Sequence, residues 1–200
     1  FASLHPFQTM SYYALPNNHI LFNLLNNLLF HAMADKVASG KVLSLMCYLS
    51  IVLLAFYCMK GLLHNRWSAL IATLVLSQQF PVWGFSFQAR GYELLALTEW
   101  GSFILLWQYL AKPDEHKLKL LVLTSAAGYL CLPSFLYFHT TILAVAMVYQ
   151  LANKRVDMLF WKYQAIGAAT VFLLYLPCLS FSGVDAITAN KYVLPQSYEV

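Results

Sequence analysis

Charge is confined to short clusters in this chain, and long runs without any charge separate them. Residues 42–59 and 67–89 carry no Asp, Glu, Lys or Arg, 94–111 is interrupted only by Glu99, and 120–153 is again charge-free. A chain that hides so little charge over such lengths has one economical solution. It forms helices whose backbone groups satisfy one another inside lipid. Composition agrees: 60% of the 200 residues are hydrophobic, 10% are charged, and mean hydropathy is +0.62. Soluble domains carry roughly 25% charged residues.

The expected fold is therefore all-α, a polytopic membrane protein with about six transmembrane helices. The spans are expected near 42–59, 67–87, 91–111, 119–132, 134–152 and 163–182. Pro133-Ser134 breaks the long run 120–153 into two short helices joined by a tight turn, or into a re-entrant hairpin. Residues 1–41 read as an outer loop and 183–200 as a polar segment on the same face. The four cysteines lie in or beside apolar runs without a Cys-x-x-Cys pair and are expected to be buried free thiols.

Residues 19–34 are the ambiguous stretch. They too lack charged residues, but His19, Asn23, Asn27 and His31 recur every fourth residue, with Asn26 beside them. That spacing draws one slowly winding polar stripe on a helix. The run is also short of the roughly 20 apolar residues a span needs. It reads as an amphipathic helix lying in the membrane interface or packed beside a polar cavity, with a short spanning helix as the alternative.

The basic residues discriminate between these. If 19–34 does not span, Lys60, Arg66, Lys112, Lys117, Lys119, Lys154, Arg155 and Lys162 share one side, and Lys36, Lys41, Arg90 and Lys191 share the other. This asymmetry places the richer side in the cytoplasm. It also gathers Pro16–His19, Arg90–Glu93, the Pro133 turn and the 183–200 segment on the outer face. The net charge of +4 is spread over these connecting loops, with no basic, aromatic-studded patch for nucleic acid.

Candidate binding residues follow from that gathering. Arg90, at a helix start beside Gln88, Tyr92 and Glu93, can grip a phosphate or carboxylate with two parallel hydrogen bonds. A headgroup-seeking arginine, or a pair with Glu93, is the plainer alternative. Gly91 would admit a ligand close to the backbone. Glu99 shares a helix face with Tyr92 and is an intramembrane carboxylate. Asn17, Asn18 and His19 offer amide and imidazole groups suited to sugar hydroxyls or phosphate oxygens, or simply a turn and a helix cap. His139 reads as a core histidine. No metal-ligand spacing, phosphate loop or dinucleotide turn occurs.

Tyr12-Tyr13-Ala14-Leu15-Pro16-Asn17-Asn18-His19, followed by a Leu/Asn-rich helix, resembles the first outer loop of GT-C membrane glycosyltransferases. The subgroup is the one similar to protein mannosyltransferases and bacterial aminoarabinose transferases. Ala89-Arg90-Gly91-Tyr92-Glu93-Leu94 resembles the Ala-Arg-x-Tyr-x-Leu motif of the same proteins, and Pro81 fits shortly before it. The resemblance covers roughly residues 5–110. It implies transfer of a sugar from a polyprenyl-phosphate carrier to an acceptor lipid, glycan or protein at the outer face of a bacterial inner membrane. It implies no cofactor, leaving a divalent metal open. It further implies that Asn17, Asn18, His19, Arg90, Tyr92 and Glu93 bind substrate. The catalytic acidic residue would lie upstream of Phe1, so that residues 1–200 form an inactive fragment lacking a first transmembrane helix and a C-terminal part. A transporter or flippase of a lipid-linked substrate, or a non-catalytic membrane subunit, would use the same features.

Overall fold

The computed structural model describes residues 4–11, 18–79 and 83–184. Pro16, Asn17, Pro81 and nearly all of the 183–200 segment fall outside them. Among the described residues there are eight helices and no strand. They are α1 (Pro6–Ser11), α2 (Ile20–Met33), α3 (Lys36–Leu63), α4 (Arg66–Ser77), α5 (Tyr92–Ala111), α6 (Glu115–Cys131), α7 (Phe135–Ala152) and α8 (Met158–Ser182).

The sequence sets the helix ends through Asx caps. Asp35 Oδ1 accepts from the Val37 and Ala38 amides at 2.8 and 3.0 Å, and Asn65 Oδ1 from the Trp67 and Ser68 amides at 2.8 and 3.2 Å. Each cap follows a residue in the left-handed region, Ala34 (φ 58) and His64 (φ 52), so two-residue turns join α2 to α3 and α3 to α4. Asp114 and Asp157 cap α6 and α8 in the same way. Satisfying these otherwise orphaned amides is worth about 1 kcal/mol per cap.

Four helices, α3, α5, α7 and α8, are long and apolar enough to cross a membrane. Their polarity is inverted relative to a soluble bundle. Leu49, Leu53 and Tyr57 on α3 and Phe172 and Leu173 on α8 are exposed, whereas Ser39, Ser44, Ser102 and Gln164 are buried. This is the distribution of a lipid-facing surface, where apolar side chains need no cover and polar ones turn inward. Half-buried Ser50, Thr124 and Thr170 return their hydroxyls to the carbonyl four residues back, at 2.8, 2.6 and 2.9 Å. The chain is an integral membrane protein by this measure, and the four cysteines are buried free thiols.

The run 67–87 does not form one long helix. α4 ends at Ser77, and residues 84–91 run as turns and bends. At 1.5 Å per residue α4 reaches roughly 18 Å and α2 roughly 21 Å, both short of the roughly 30 Å hydrocarbon layer. The reason is visible at Gln78-Gln79: freedom from charge is not the same as freedom from polar groups. In 120–153, by contrast, α6 and α7 are separated only by Leu132, Pro133 and Ser134. His139 ties this pair to α8, its Nδ1 meeting Tyr129 Oη at 2.9 Å and its Nε2 meeting Gln164 Oε1 at 3.0 Å. Both ring nitrogens are engaged, as suits a core histidine.

Contacts bring α1, α2, the start of α3, residues 85–92 and the α6–α7 turn together at one end of the bundle. The α3–α4, α5–α6 and α7–α8 connections meet at the other. Contacts far apart in sequence fix both ends. Ser182 Oγ donates to the Ser11 carbonyl at 2.9 Å at the first, and Tyr149 Oη to the Leu110 carbonyl at 3.1 Å at the second.

Candidate functional site

The segment that carries Arg90 is pinned to α3. Ser44 Oγ donates to the Gln88 and Arg90 carbonyls at 2.6 and 3.2 Å. One helical turn earlier, Gly40 leaves room for Ala89; a Cβ there would stand 2.7 Å from the Ala89 Cβ. Gly40 and Ser44 thus form a small-residue face that lets an irregular backbone approach a helix closely. Arg90 itself is exposed, with its guanidinium free of any carboxylate among the described residues.

Gly91 abuts His19. An added Cβ would lie 2.8 Å from His19 Nδ1 and 2.9 Å from its Cγ. Tyr92 completes the contact, its ring 4.9 Å from the imidazole and nearly perpendicular to it, with Phe85 on its other side at 4.7 Å. His19 is buried, and neither ring nitrogen makes a well-formed hydrogen bond. Burial holds its pKa down to about 4; the Cys131 carbonyl opposes that shift and Arg90 adds to it. At neutral pH the ring is uncharged. It can offer a ligand one donor and one acceptor.

Asn18 is buried beside it. Its Oδ1 accepts from Asn23 Nδ2 at 2.7 Å, and its Nδ2 donates to the Thr9 carbonyl at 3.4 Å. The polar stripe of α2 continues against protein: Asn26 Oδ1 accepts from Ser39 Oγ at 2.6 Å, and Asn27 Nδ2 donates to the Leu4 carbonyl at 3.1 Å. These amides hold α1 and the start of α3 onto α2. His31 is exposed.

Glu93 neither pairs with Arg90, the plainer alternative, nor turns toward the Arg90 side as a substrate-binding residue would. Its side chain turns inward toward Cys47 and is only 1% exposed, with neither oxygen partnered among the described residues. Glu93, Glu99 and Tyr92 border one cavity of about 270 Å³, walled also by Phe85 and Trp100. A buried carboxyl without a donor costs stability. Glu93→Leu is therefore expected to raise the midpoint of unfolding in detergent by the equivalent of about 1 kcal/mol. An unchanged or lower midpoint would mean the carboxyl has found a partner.

Of the residues singled out from sequence, the fold brings His19, Gly91 and Tyr92 into contact, with Asn18 and Arg90 adjoining. Glu93 faces the core side, and Asn17 lies outside the described residues. Sequence reading missed Ser44, Phe85, Trp100 and the Cys131 carbonyl. Only the first had a signal, the Gly40-x-x-x-Ser44 spacing. No family model, curated protein or solved structure matches this chain.

Proposed function

We propose that the protein is a membrane glycosyltransferase acting on a polyprenyl-phosphate-linked sugar, with Arg90 holding the lipid phosphate. The observation that carries this reading is the clamped, outward-facing Arg90 next to the uncharged His19–Tyr92 pair at one end of a membrane bundle. An acceptor oxygen would attack the sugar's anomeric carbon as the bond to phosphate oxygen breaks. The leaving phosphate gains charge in that step, and a guanidinium beside it lowers the barrier. His19, Tyr92 and Asn18 would orient sugar or phosphate oxygens. In this reading the run 67–87, which α4 fills only in part, and α6 complete about six spans together with the four longer helices, and α2 lies at the interface. Arg90 faces the periplasm or exterior of a bacterial inner membrane.

The test is transfer from a panel of polyprenyl-phosphate sugars by the intact protein in its membrane. Arg90→Ala, with folding verified, is expected to lose at least tenfold in kcat/KM, about 1.4 kcal/mol. Asn18→Ala is expected to raise KM. Full activity in a folded Arg90→Ala protein would sink the assignment. No consumption of any lipid-linked sugar by the wild type would sink the reaction class.

A further inference from the structure

A sizeable cavity lies at the other end of the bundle, far from Arg90. It measures about 690 Å³ and opens where the ends of α5 and α7 meet the start of α8. Tyr109, Pro113, Gln150, Arg155, Val156 and Met158 are among the residues that line it.

Gln150 is the informative member. It is 8% exposed. Its Oε1 accepts two donors at 3.0 Å, the Asp157 amide and Trp161 Nε1, which fixes the orientation of the side-chain amide. Nε2 must then be the donor end, and it has no acceptor among the described residues. The nearby Asp157 carboxylate does not supply one. Its Oδ1 accepts from the Phe160 amide at 3.0 Å, and Tyr109 Oη donates to its Oδ2. The cavity wall therefore holds one unpartnered donor just beneath its surface, the Gln150 amide, and one at it, the exposed Arg155 guanidinium, beside an Asp157 carboxylate already engaged by its own donors, and the pair calls for an anionic acceptor.

The surroundings say where that acceptor comes from. α5, α7 and α8 are three of the four helices long enough to cross a membrane, so their shared end lies at headgroup depth. Val156 and Met158 are 70% and 72% exposed beside Lys154 and Arg155, a basic and apolar rim suited to the headgroup layer. Lys117 adds charge nearby, its Nζ bonded to the Gln108 and Lys112 carbonyls at 2.9 and 2.8 Å.

We infer that this cavity is a binding site for the headgroup of an anionic phospholipid. Gln150 and Arg155 hold the phosphate oxygens, and Val156 and Met158 lie along the glycerol and upper acyl chain. The site is independent of the sugar-transfer reading, since it lies at the opposite end and its occupancy is read without turnover.

The experiment reconstitutes the protein in phosphatidylcholine containing a minority of phosphatidylglycerol, then counts both lipids retained after mild detergent extraction. Wild type is expected to retain phosphatidylglycerol with about fivefold enrichment over its share. Arg155→Gln, on an exposed side chain that cannot disturb folding, is expected to remove most of that enrichment. Gln150→Glu keeps the Oε1 acceptor and replaces the donor by a repelling oxygen, and is expected to do the same. Arg66→Gln makes an equal charge change at the same end of the bundle on α4, and is expected to leave the enrichment intact. Absence of enrichment in wild type, its survival in both cavity variants, or an equal loss in Arg66→Gln would overturn the site. Displacement of the retained lipid by soluble glycerophosphate would show the ligand to be a free anion, and would overturn its lipid identity.

Discussion

Acidification from pH 6.5 to about 4 is expected to destabilise this protein by roughly 3 kcal/mol through His19 alone. The unfolded chain takes up that proton near 6.5, whereas burial delays it in the folded protein until about 4. Between those values the unfolded state holds more protons, so stability rises with pH. The contribution is complete above 6.5 and is lost as pH falls through 4. The Asp35 cap, whose pKa the Ala38 and Val37 amides hold below the ordinary carboxylate range, is lost only in stronger acid. The measurement is the unfolding midpoint in detergent across this window for wild type and His19→Phe, which keeps a ring against Tyr92 and Gly91 but cannot titrate. The variant is expected to lack the His19 share of the slope, so that its stability relative to wild type rises by roughly 3 kcal/mol as pH falls from 6.5 to about 4. Parallel slopes would move the acid sensitivity to another group. Because His19 borders Arg90, the same protonation is expected to disturb the candidate site before the bundle unfolds.

The second large effect sits at the α6–α7 turn. A Cβ on Gly128 would stand 2.5 Å from two ring atoms of Phe135, a side chain with no exposure at all. Phe135 cannot retreat easily. Tyr129 meets its ring at 5.2 Å and Phe138 at 5.5 Å. Gly128→Ala is therefore expected to cost about 1–3 kcal/mol, the range for overpacking a filled core. Phe135→Leu alone is also destabilising, by loss of contacts that lipid does not replace. Together the two are expected to cost less than the sum of the singles, because the smaller side chain yields the space the methyl group needs. Strict additivity in that cycle would mean the turn relaxes by moving the helices apart.

These two sites show how different parts of the molecule were encoded. Helix placement was legible along the chain. The charge-free runs, the Asx residues at 35, 65, 114 and 157, and the Pro133 break specify local conformation, and local conformation depends on neighbours within a few residues. α3, α5, α6, α7 and α8 accordingly overlie the runs expected near 42–59, 91–111, 119–132, 134–152 and 163–182. The early stop of α4 was legible too, in Gln78-Gln79, had polarity been weighed as well as charge.

Which neighbour each face meets was not legible. A helical period says that His19, Asn23 and Asn27 share a side, but not that the side is turned to α1 and α3 instead of water or headgroups. It says that Arg90 and Glu93 are three residues apart, yet not that Glu93 is drawn inward while Ser44 clamps the backbone that points Arg90 out. Those outcomes depend on contacts between residues dozens of positions apart, such as Ser44 with Gln88 and His19 with Gly91. The chain by itself determined an all-helical membrane bundle with polar segments collected at its ends. Only the tertiary structure decided which polar groups pair with one another and which remain unpartnered, because lipid-facing helices are held by close packing and a few buried hydrogen bonds that no single helix contains.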